Sequence, residues 1–369
     1  MKVLVADDSS FFRKAMTEVL SSLPGVEVVG SASNGRLTLQ KVQELRPDLL
    51  TLDMEMPELD GLAVLDALKT EGNMPAVIVV SALTREGGKL ALQALQKGAF
   101  DFITKPDTAN AGESRKILRT EFETRLKALS LRLGVRNILR GTSSIQSPPS
   151  SKPLISSPSV APDTIVDRMR RVSGISKPEM VLIGVSTGGP NALGVLLPAL
   201  PRLGVPVLIV QHMPAIFTQT LAESLSVKCV LRVLEASHGQ TAEADTVYIA
   251  PGGRQMRLAP APDGRGIIRI NDDPPENNCR PSVDTLFRSV ALHFPGRAMG
   301  VILTGMGNDG TLGLKLLRRS GCFVIAQDEP SCVVFGMPKS AIDAGVVDEV
   351  LPLEAIPARI ARVVHGGSL

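Results

Sequence analysis

The sequence has very few aromatic residues and only four cysteines. Aromatic side chains make up 3% of its 369 residues, with no tryptophan and one tyrosine. Single-stranded nucleic acids bind largely by stacking their bases on aromatic rings, so a surface of that kind is not expected. The cysteines have no C-x-x-C or zinc-like spacing, and we interpret them as buried or incidental thiols in a reducing cytosol. They are Cys229, Cys279, Cys322 and Cys332.

Long apolar runs and blocks of like charge are also absent. No stretch approaches the roughly 18 uninterrupted apolar residues of a membrane-spanning helix, and the opening MKVLVADD lacks the apolar region of a signal peptide. The net charge is +3 with both signs interspersed, which argues against a nucleic acid or a membrane surface as partner. We expect a cytoplasmic protein without membrane insertion, and its length indicates two domains.

Residues 1–106 alternate between short apolar runs and helical patterns, with a repeat of about 25 residues. Such alternation predicts a parallel sheet covered by helices on both faces. Ser9 and Ser10 are candidate N-caps for the first helix. The predicted strands are Lys2–Ala6, Val26–Ala32, Leu49–Leu52, Val77–Val80 and Phe102–Thr104.

The composition changes after an amphipathic stretch over residues 114–133. The segment GTSSIQSPPSSKPLISSPSVAPD is rich in serine and proline and almost uncharged, so we interpret it as a disordered or extended linker. From about residue 177 the alternation returns, with apolar runs such as MVLIGVS, VPVLIVQH and RAMGVILTGMG. A second α/β domain is therefore predicted, and in such sheets active residues belong at the carboxyl ends of strands.

Polar residues follow four of the five predicted strands in the first domain. Three carboxylates crowded at one sheet edge repel each other and need a cation, and oxygen ligands favour Mg²⁺. A lysine and a hydroxyl on the other side can pair with phosphate oxygens. Each of these residues taken singly is better explained as a loop-end polar group or a helix cap. They are Asp7, Asp8, Asp53, Ser81 and Lys105.

Together these residues resemble the receiver domains of two-component systems, over about residues 1–122. The resemblance implies a flavodoxin-like (βα)5 fold, phosphorylation on Asp53, and Mg²⁺ as the cofactor of that step. It also implies that Asp7, Asp8 and the Glu55 backbone carbonyl complete the Mg²⁺ site. Ser81 and Lys105 would contact the phosphate. Phe102 matches the switch aromatic of these domains, although a plain core phenylalanine is the alternative.

A serine in the second domain lies in a glycine-rich turn after an apolar strand. Residues Gly184–Gly188 satisfy the pattern G-x-S-x-G, in which glycines permit a sharp strand-to-helix turn and Ser186 is the candidate nucleophile. Backbone N–H groups at the following helix N-terminus can stabilise an oxyanion. The alternative is a phosphate-binding loop, but no Lys-Ser/Thr pair follows as a P-loop requires.

A serine nucleophile needs a base and an orienting carboxylate. His212 ends the apolar run VPVLIV, whereas His238, His293 and His365 lie in a turn, at a helix end and in the tail. Asp309 follows another strand in a glycine-rich loop, where an N-cap for TLGLKLL is the alternative. The order serine, histidine, aspartate differs from that of the α/β-hydrolases.

The motifs VSTGGP, VQHMP, YIAPGG, CRPSVD, GVILTGMGNDG and SCVVFGMP resemble the catalytic domain of chemotaxis methylesterases across nearly all of residues 177–369. The resemblance implies a doubly wound, mainly parallel sheet. It implies Ser186 as nucleophile, His212 as base and Asp309 as orienter, with Thr187 beside the nucleophile and the Met306 N–H as an oxyanion donor. Many relatives carry a histidine where this sequence has Gln255, which removes a rival base.

The same resemblance implies a function. The expected reaction is hydrolysis of glutamate methyl esters on the cytoplasmic signalling helices of chemoreceptors, together with deamidation of receptor glutamines and without a cofactor for the esterase step. A chemotaxis histidine kinase would be the phosphodonor.

The expected boundaries are 1–122 for the receiver, 123–176 for a helix end and linker, and 177–369 for the catalytic domain. A DNA-binding output would need a helix-turn-helix and a basic face, and neither is visible; a hydrolase of another small ester stays open.

Overall fold

The structure, a computed structural model, describes the chain except Asn73 and residues 107–109, 141–176 and 367–369. The predicted serine/proline-rich linker therefore lies outside the described residues. No helix in the described part combines the length and apolar character that crossing a bilayer requires.

The N-terminal domain is a five-stranded parallel sheet in the order β2-β1-β3-β4-β5, flanked by helices. This is the predicted flavodoxin-like order, with a topological switch point between β1 and β3. The strands are β1 (Lys2–Ala6), β2 (Glu27–Ala32), β3 (Leu49–Asp53), β4 (Ala76–Ser81) and β5 (Asp101–Thr104). The helices are α1 (Ser10–Ser21), α2 (Gly35–Leu45), α3 (Gly61–Glu71), α4 (Arg85–Gln96) and α5 (Ala111–Arg140).

Local sequence explains where these helices begin. Ser9 caps α1 by accepting a hydrogen bond from the Phe12 N–H, which confirms one of the two predicted caps, while Ser10 is the first helical residue. Asn34, Asp60 and Thr84 cap the next three helices in the same way. The last helix is longer than the predicted 114–133, because the helix-forming sequence RNILR continues it up to the serine/proline-rich segment.

The C-terminal domain has a seven-stranded sheet in the order β14-β13-β12-β6-β7-β9-β8, in which every pairing is parallel. A separate antiparallel hairpin, β10–β11, covers one side, and the sequence did not predict it. The strands are β6 (Met180–Val185), β7 (Val207–Gln211), β8 (Arg232–Glu235), β9 (Thr246–Ile249), β10 (Gln255–Pro260), β11 (Gly266–Asn271), β12 (Ala298–Ile302), β13 (Phe323–Gln327) and β14 (Glu349–Leu351).

Helices cover this second sheet, and the order of its strands creates a topological switch point at β6. They are α6 (Gly189–Leu196), α7 (Ala215–Ser226), α8 (Val283–His293), α9 (Thr311–Arg319), α10 (Met337–Asp343) and α11 (Ile356–His365), with a 3₁₀ turn at Leu353–Ala355. The first strand of the domain, β6, lies between β7 and β12. The chain therefore leaves β6 toward one edge and returns later on its other side, and ligands bind at such points.

The two domains pack against each other through α4 and α7. The Phe102 ring on β5 stacks on the Phe217 ring on α7, with centroids 4.6 Å apart and planes 16° from parallel. The Asn191 side chain donates a hydrogen bond to the Leu95 carbonyl at 2.9 Å, and Arg85 pairs with Glu223. Both stacked rings are buried, so the receiver and the catalytic sheet share a continuous apolar cluster.

Candidate active site

The serine turn is held between two strand ends. The Ser186 N–H donates to the Thr304 carbonyl at 3.0 Å, and the Ser186 carbonyl accepts from the Gly189 N–H at 2.8 Å. Gly188 has φ +81°, and a Cβ there would lie 2.5 Å from Val333. The glycine is therefore needed for both conformation and space. Ser186 remains partly exposed at the start of α6.

His212 lies directly beside this serine. Val185 and Gln211 are register partners on β6 and β7, and the His212 N–H donates to the Val185 carbonyl at 3.1 Å. Ser186 and His212 are thus the next residues on two neighbouring parallel strands, whose spacing is about 4.8 Å. On the other side of the ring, His212 Nε2 lies 2.8 Å from Asp309 Oδ2.

Asp309 is not the N-cap of α9, since Gly310 occupies that position without a side-chain hydrogen bond. Its carboxylate instead caps α8, accepting from the Val283 N–H at 2.7 Å, the Asp284 N–H at 3.1 Å and Ser282 Oγ at 2.8 Å. One carboxylate therefore both caps the helix and contacts the histidine. The dipole of α8 also stabilises its negative charge.

These contacts keep Asp309 ionised. Burial alone would raise its pKa, but the hydrogen bond and charge of His212, with donors from Asn277 and Val283, lower the pKa to about 2. An ionised carboxylate only accepts hydrogen bonds, so His212 Nε2 carries the proton of this contact. The nitrogen that can act as a base is therefore Nδ1.

Nδ1 of His212 faces an unexpected neighbour. The Cys279 Sγ lies 3.6 Å from it, so this thiol, interpreted from the sequence as buried or incidental, is half-buried and lies beside the candidate base. Spacing along the chain did not reveal this contact because the two residues are 67 positions apart. Burial lowers the pKa of His212, but Asp309 and Cys279 outweigh burial and the pKa is raised. Within the described residues, no hydrogen bond joins Ser186 Oγ to His212.

The other three histidines lie elsewhere. His238 Nδ1 contacts the Ile270 carbonyl at 2.8 Å, beside the hairpin. His365 Nε2 contacts the Arg202 carbonyl at 3.2 Å near the end of α11. His293 is exposed at the end of α8. Of the four, His212 alone is adjacent to Ser186.

Two backbone N–H groups in the segments next to the serine are candidate oxyanion donors. Gly305 approaches so closely that a Cβ there would lie 2.7 Å from the Ser186 Cβ, which brings the following residue, Met306, beside the nucleophile. Neither the Met306 nor the Thr187 N–H has an acceptor among the described residues. Thr304 Oγ1 donates to the Thr187 carbonyl at 2.9 Å and fixes that peptide.

Three polar residues that the sequence did not single out as functional, Gln255, Asn277 and Ser282, support the site. Gln255 Nε2 donates to the Pro274 and Cys279 carbonyls, and its Oε1 accepts from the Ser282 N–H at 2.8 Å. Asn277 Nδ2 donates to Asp309 Oδ1 at 2.9 Å. The segment of residues 274–282, which we call the 274–282 loop, is thereby fixed against the histidine. The motif CRPSVD was the available signal, since it contains Cys279 and Ser282.

The acidic cluster of the receiver lies at its own switch point. Buried Asp53 accepts from Lys105 Nζ at 2.7 Å, and Lys105 also lies 3.1 Å from buried Asp7. Ser81 Oγ donates to the Gly87 carbonyl rather than to Asp53. The Glu55 N–H donates to Asp53 Oδ1 at 3.3 Å, which brings Glu55 to the same edge.

This cluster fits a divalent cation. One oxygen from each of Asp7, Asp8 and Asp53 lies within 4.8 Å of the others, and the buried Asp7 Oδ2 has the Lys105 ammonium as a cationic neighbour at 3.1 Å. Burial raises the pKa of Asp7 to about 6 against the opposing charge of Lys105, and Asp53 adds to the rise. Oxygen donors of this kind suit Mg²⁺.

The receiver touches the residue that follows the candidate nucleophile. Thr187 Oγ1 donates to Asp101 Oδ2 at 3.3 Å, across the domain boundary. Burial raises the pKa of Asp101 despite the nearby Arg125 guanidinium. Met306 and Val333, which flank the serine turn, pack against the receiver core. The receiver therefore lies over part of the serine site.

Comparison with known proteins identifies relatives of both domains. Family models named CheB methylesterase and response regulator receiver domain match residues 181–360 and 3–114. The protein-glutamate methylesterase/protein-glutamine glutaminase of Desulfotalea psychrophila is 44% identical over 370 residues, covering 99% of this chain and 98% of the relative. The protein of the same name from Lawsonia intracellularis is 40% identical and 99% of each chain is covered. The Thermotoga maritima CheB methylesterase catalytic domain has a TM-score of 0.50 and 41% identity, covering 51% of this chain and 100% of its own.

Proposed function

The chain belongs to the CheB methylesterase family, and from this premise we propose that it is a phosphorylation-activated chemotaxis methylesterase. It hydrolyses glutamate methyl esters on chemoreceptors to glutamate and methanol, and it deamidates receptor glutamines. The observation that carries this proposal is the position of Ser186 and His212 on adjacent strand ends, with Asp309 2.8 Å behind the imidazole.

The reaction follows from these positions. Ser186 attacks the ester carbonyl while His212 Nδ1 accepts its proton, and Asp309 holds the imidazole by Nε2 and stabilises the imidazolium. The N–H groups of Met306 and Thr187 stabilise the oxyanion. His212 then protonates methanol, or ammonia from a glutamine, and a water molecule repeats the cycle to release the glutamate side chain. The esterase step uses no cofactor.

The partners follow from the same family membership. The substrate is the set of cytoplasmic signalling helices of chemoreceptors, and the phosphodonor is a chemotaxis histidine kinase. The protein acts in the cytoplasm, where these helices and the kinase are. The receiver comprises residues 1–122, a helix end and linker residues 123–176, and the catalytic domain residues 177–369.

Phosphorylation takes place on Asp53. Asp7, Asp8 and the Glu55 carbonyl would hold Mg²⁺ with it, and the ion supplies positive charge for the incoming phosphoryl group. Lys105 is already within hydrogen-bond distance of Asp53, and it pairs with a phosphate oxygen. Ser81 exchanges its bond to the Gly87 carbonyl for a second phosphate oxygen. That movement would pull on α4, which packs on the catalytic domain.

The receiver inhibits the resting enzyme by covering the serine site. The Asp101–Thr187 hydrogen bond and the Phe102–Phe217 stack support this arrangement. Phe102 acts as the switch aromatic, since its ring stacks on Phe217 of the catalytic domain. A shift of α4 and Phe102 on phosphorylation weakens the contact and opens the site.

The experiment is methanol release from methylated receptor, measured with and without acetyl phosphate and Mg²⁺. We expect release that rises on addition of the phosphodonor and that Ser186→Ala abolishes. A simple methyl ester is the control substrate. Hydrolysis of the simple ester without any release from receptor would instead favour a hydrolase of small esters.

A further inference from the structure

A thiol lies beside the imidazole nitrogen that must accept a proton in the proposed reaction. The Cys279 Sγ lies 3.6 Å from His212 Nδ1, the nitrogen left free when Asp309 holds Nε2. A thiol has a single proton, which either the Asn277 carbonyl at 3.4 Å or the imidazole nitrogen can accept. When the proton is directed to the ring, the contact is an S–H to Nδ1 hydrogen bond. While this hydrogen bond persists, the Nδ1 lone pair that takes the Ser186 proton is occupied by the thiol.

The surroundings fix this pair rather than leaving it to chance. The Cys279 carbonyl accepts from Gln255 Nε2 at 3.2 Å and from the Glu276 N–H at 3.1 Å, and the Cys279 N–H donates to the Glu276 carbonyl at 2.8 Å. The imidazole is fixed from its other side by Asp309. Sulfur and nitrogen are thus held by backbone and buried groups that do not need to move.

A metal ion explains the cluster less well. Asp309 has no oxygen to spare, because Oδ1 accepts from Asn277, Ser282, Asp284 and Gly310, and Oδ2 accepts from His212 and Val283. An ion at this point would therefore have only Nδ1 and Sγ from the described cluster. Four-coordinate zinc sites draw three or four ligands from the protein.

The chemistry instead resembles that of a nucleophilic cysteine. A thiol paired with an imidazole, whose other nitrogen is held by a carboxylate, can pass its proton to the ring and become a thiolate. Cys279 is half-buried and therefore reachable by a small reagent. The other three cysteines differ: burial raises the thiol pKa of Cys229 and that of Cys332, the latter to about 12, and Cys322 is buried.

We propose that Cys279 is a peroxide-sensitive thiol that switches off the methylesterase by capturing His212 when it is oxidised. The inference rests on the proposed function of Ser186 and His212. In the step itself, His212 Nδ1 takes the thiol proton and the sulfur attacks one oxygen of a hydroperoxide. The O–O bond breaks, and the leaving hydroxide or alkoxide takes the proton back from His212. The sulfur loses two electrons, the peroxide gains two, and Cys279 becomes a sulfenic acid.

The oxidised side chain blocks catalysis for a geometric reason. The added oxygen stands on a sulfur only 3.6 Å from Nδ1, so it lies within hydrogen-bond reach of the base. A hydroxyl is also a better donor than a thiol. Two equivalents of a thiol reductant remove that oxygen as water and restore the enzyme.

The test exposes the full chain to hydrogen peroxide and measures both chemistry and activity. Dimedone labelling followed by peptide mapping reports which cysteine is oxidised, and methanol release from methylated receptor reports the esterase. We expect label on Cys279 and a loss of at least roughly 10²-fold, because an occupied imidazole contributes little as a general base. Dithiothreitol should restore the rate.

The controls are Cys279→Ala, Cys279→Ser and, as a matched change at another thiol, Cys332→Ser. The two Cys279 variants should resist peroxide, and untreated Cys279→Ala should be about two- to tenfold faster than wild type, as expected when one hydrogen bond to the base is lost. Cys332→Ser should remain sensitive. Circular dichroism confirms folding of each variant.

Three outcomes would overturn the proposal. They are label on another cysteine with Cys279 unlabelled, a loss of activity that persists in Cys279→Ala, and full activity with Cys279 labelled. Failure of the proposed function would look different. Ser186→Ala would then keep its methanol release, or the untreated wild type would have none, while the dimedone label would still report on Cys279.

Discussion

Removing the Phe102 ring should activate the unphosphorylated enzyme. Phe102 is 4% exposed and stacks on Phe217, which is 0% exposed. A stacked aromatic pair contributes about 0.5–1.5 kcal/mol beyond area burial. Burying a phenylalanine side chain contributes about 1.5–3 kcal/mol, part of which belongs to the receiver core. Phe102→Ala should therefore weaken the domain contact by roughly 1–3 kcal/mol, a shift of about 5- to 150-fold between covered and open forms.

The assay is the initial rate of methanol release without phosphodonor, compared with a fragment of residues 177–369. The fragment sets the upper limit, since nothing covers its serine site. Phe102→Leu keeps most of the volume but loses the stack, so its rate should be intermediate. Leu20→Ala is the matched control, because Leu20 is buried in the receiver core on α1, outside the stack.

Two results would refute this reasoning. If the fragment is no faster than the unphosphorylated full chain, inhibition by covering is wrong. If Leu20→Ala activates as strongly as Phe102→Ala, loss of receiver stability rather than loss of the stack is responsible.

Three further predictions concern the two sites. Acetyl phosphate with Mg²⁺ should label Asp53, and Asp53→Asn should abolish both the label and the activation, whereas persisting label on that variant would put the acceptor elsewhere. Because the pKa of His212 is raised, the acidic fall in activity should lie above the ordinary imidazole value of about 6.5; a rate that is flat down to about pH 4 would exclude His212 as the base. Asp309→Asn should lower kcat by about 10⁴-fold or less and move that fall to lower pH, since the charge that favours imidazolium is gone; an unchanged profile would contradict the pairing.

Much of the architecture follows from local pattern. The five receiver strands lie within one or two residues of their predicted positions. Three of them, β1, β3 and β4, are near-continuous apolar runs of the kind that a doubly covered parallel sheet requires. Residues at the ends of parallel strands meet at a sheet edge by topology alone. For this reason Asp7, Asp53 and Lys105 come together in the structure, as do Ser186 and His212.

What could not be predicted depends on contacts between distant segments. The 274–282 loop reaches the histidine only because Gln255 and Asp309 bind it, and neither bond follows from spacing. The burial of β11 does alternate, with Gly266, Ile268 and Ile270 buried, but the less buried Ile267 and the buried Gln255 hide that alternation in the sequence of the hairpin. The position of Phe102 against Phe217 depends on how two folded domains dock, which no local periodicity records.

The most direct test of the account is the kcat of methanol release for Ser186→Ala, His212→Gln and the double variant, with circular dichroism as the folding control. Each single change should lower kcat by roughly 10⁴- to 10⁶-fold, and the double variant should be scarcely worse, because both side chains act in one proton transfer. His293→Gln, a change at an exposed histidine outside the site, should stay within about threefold of wild type. Losses that multiply in the double variant, or a His293→Gln enzyme that is inactive while His212→Gln survives, would contradict the assignment.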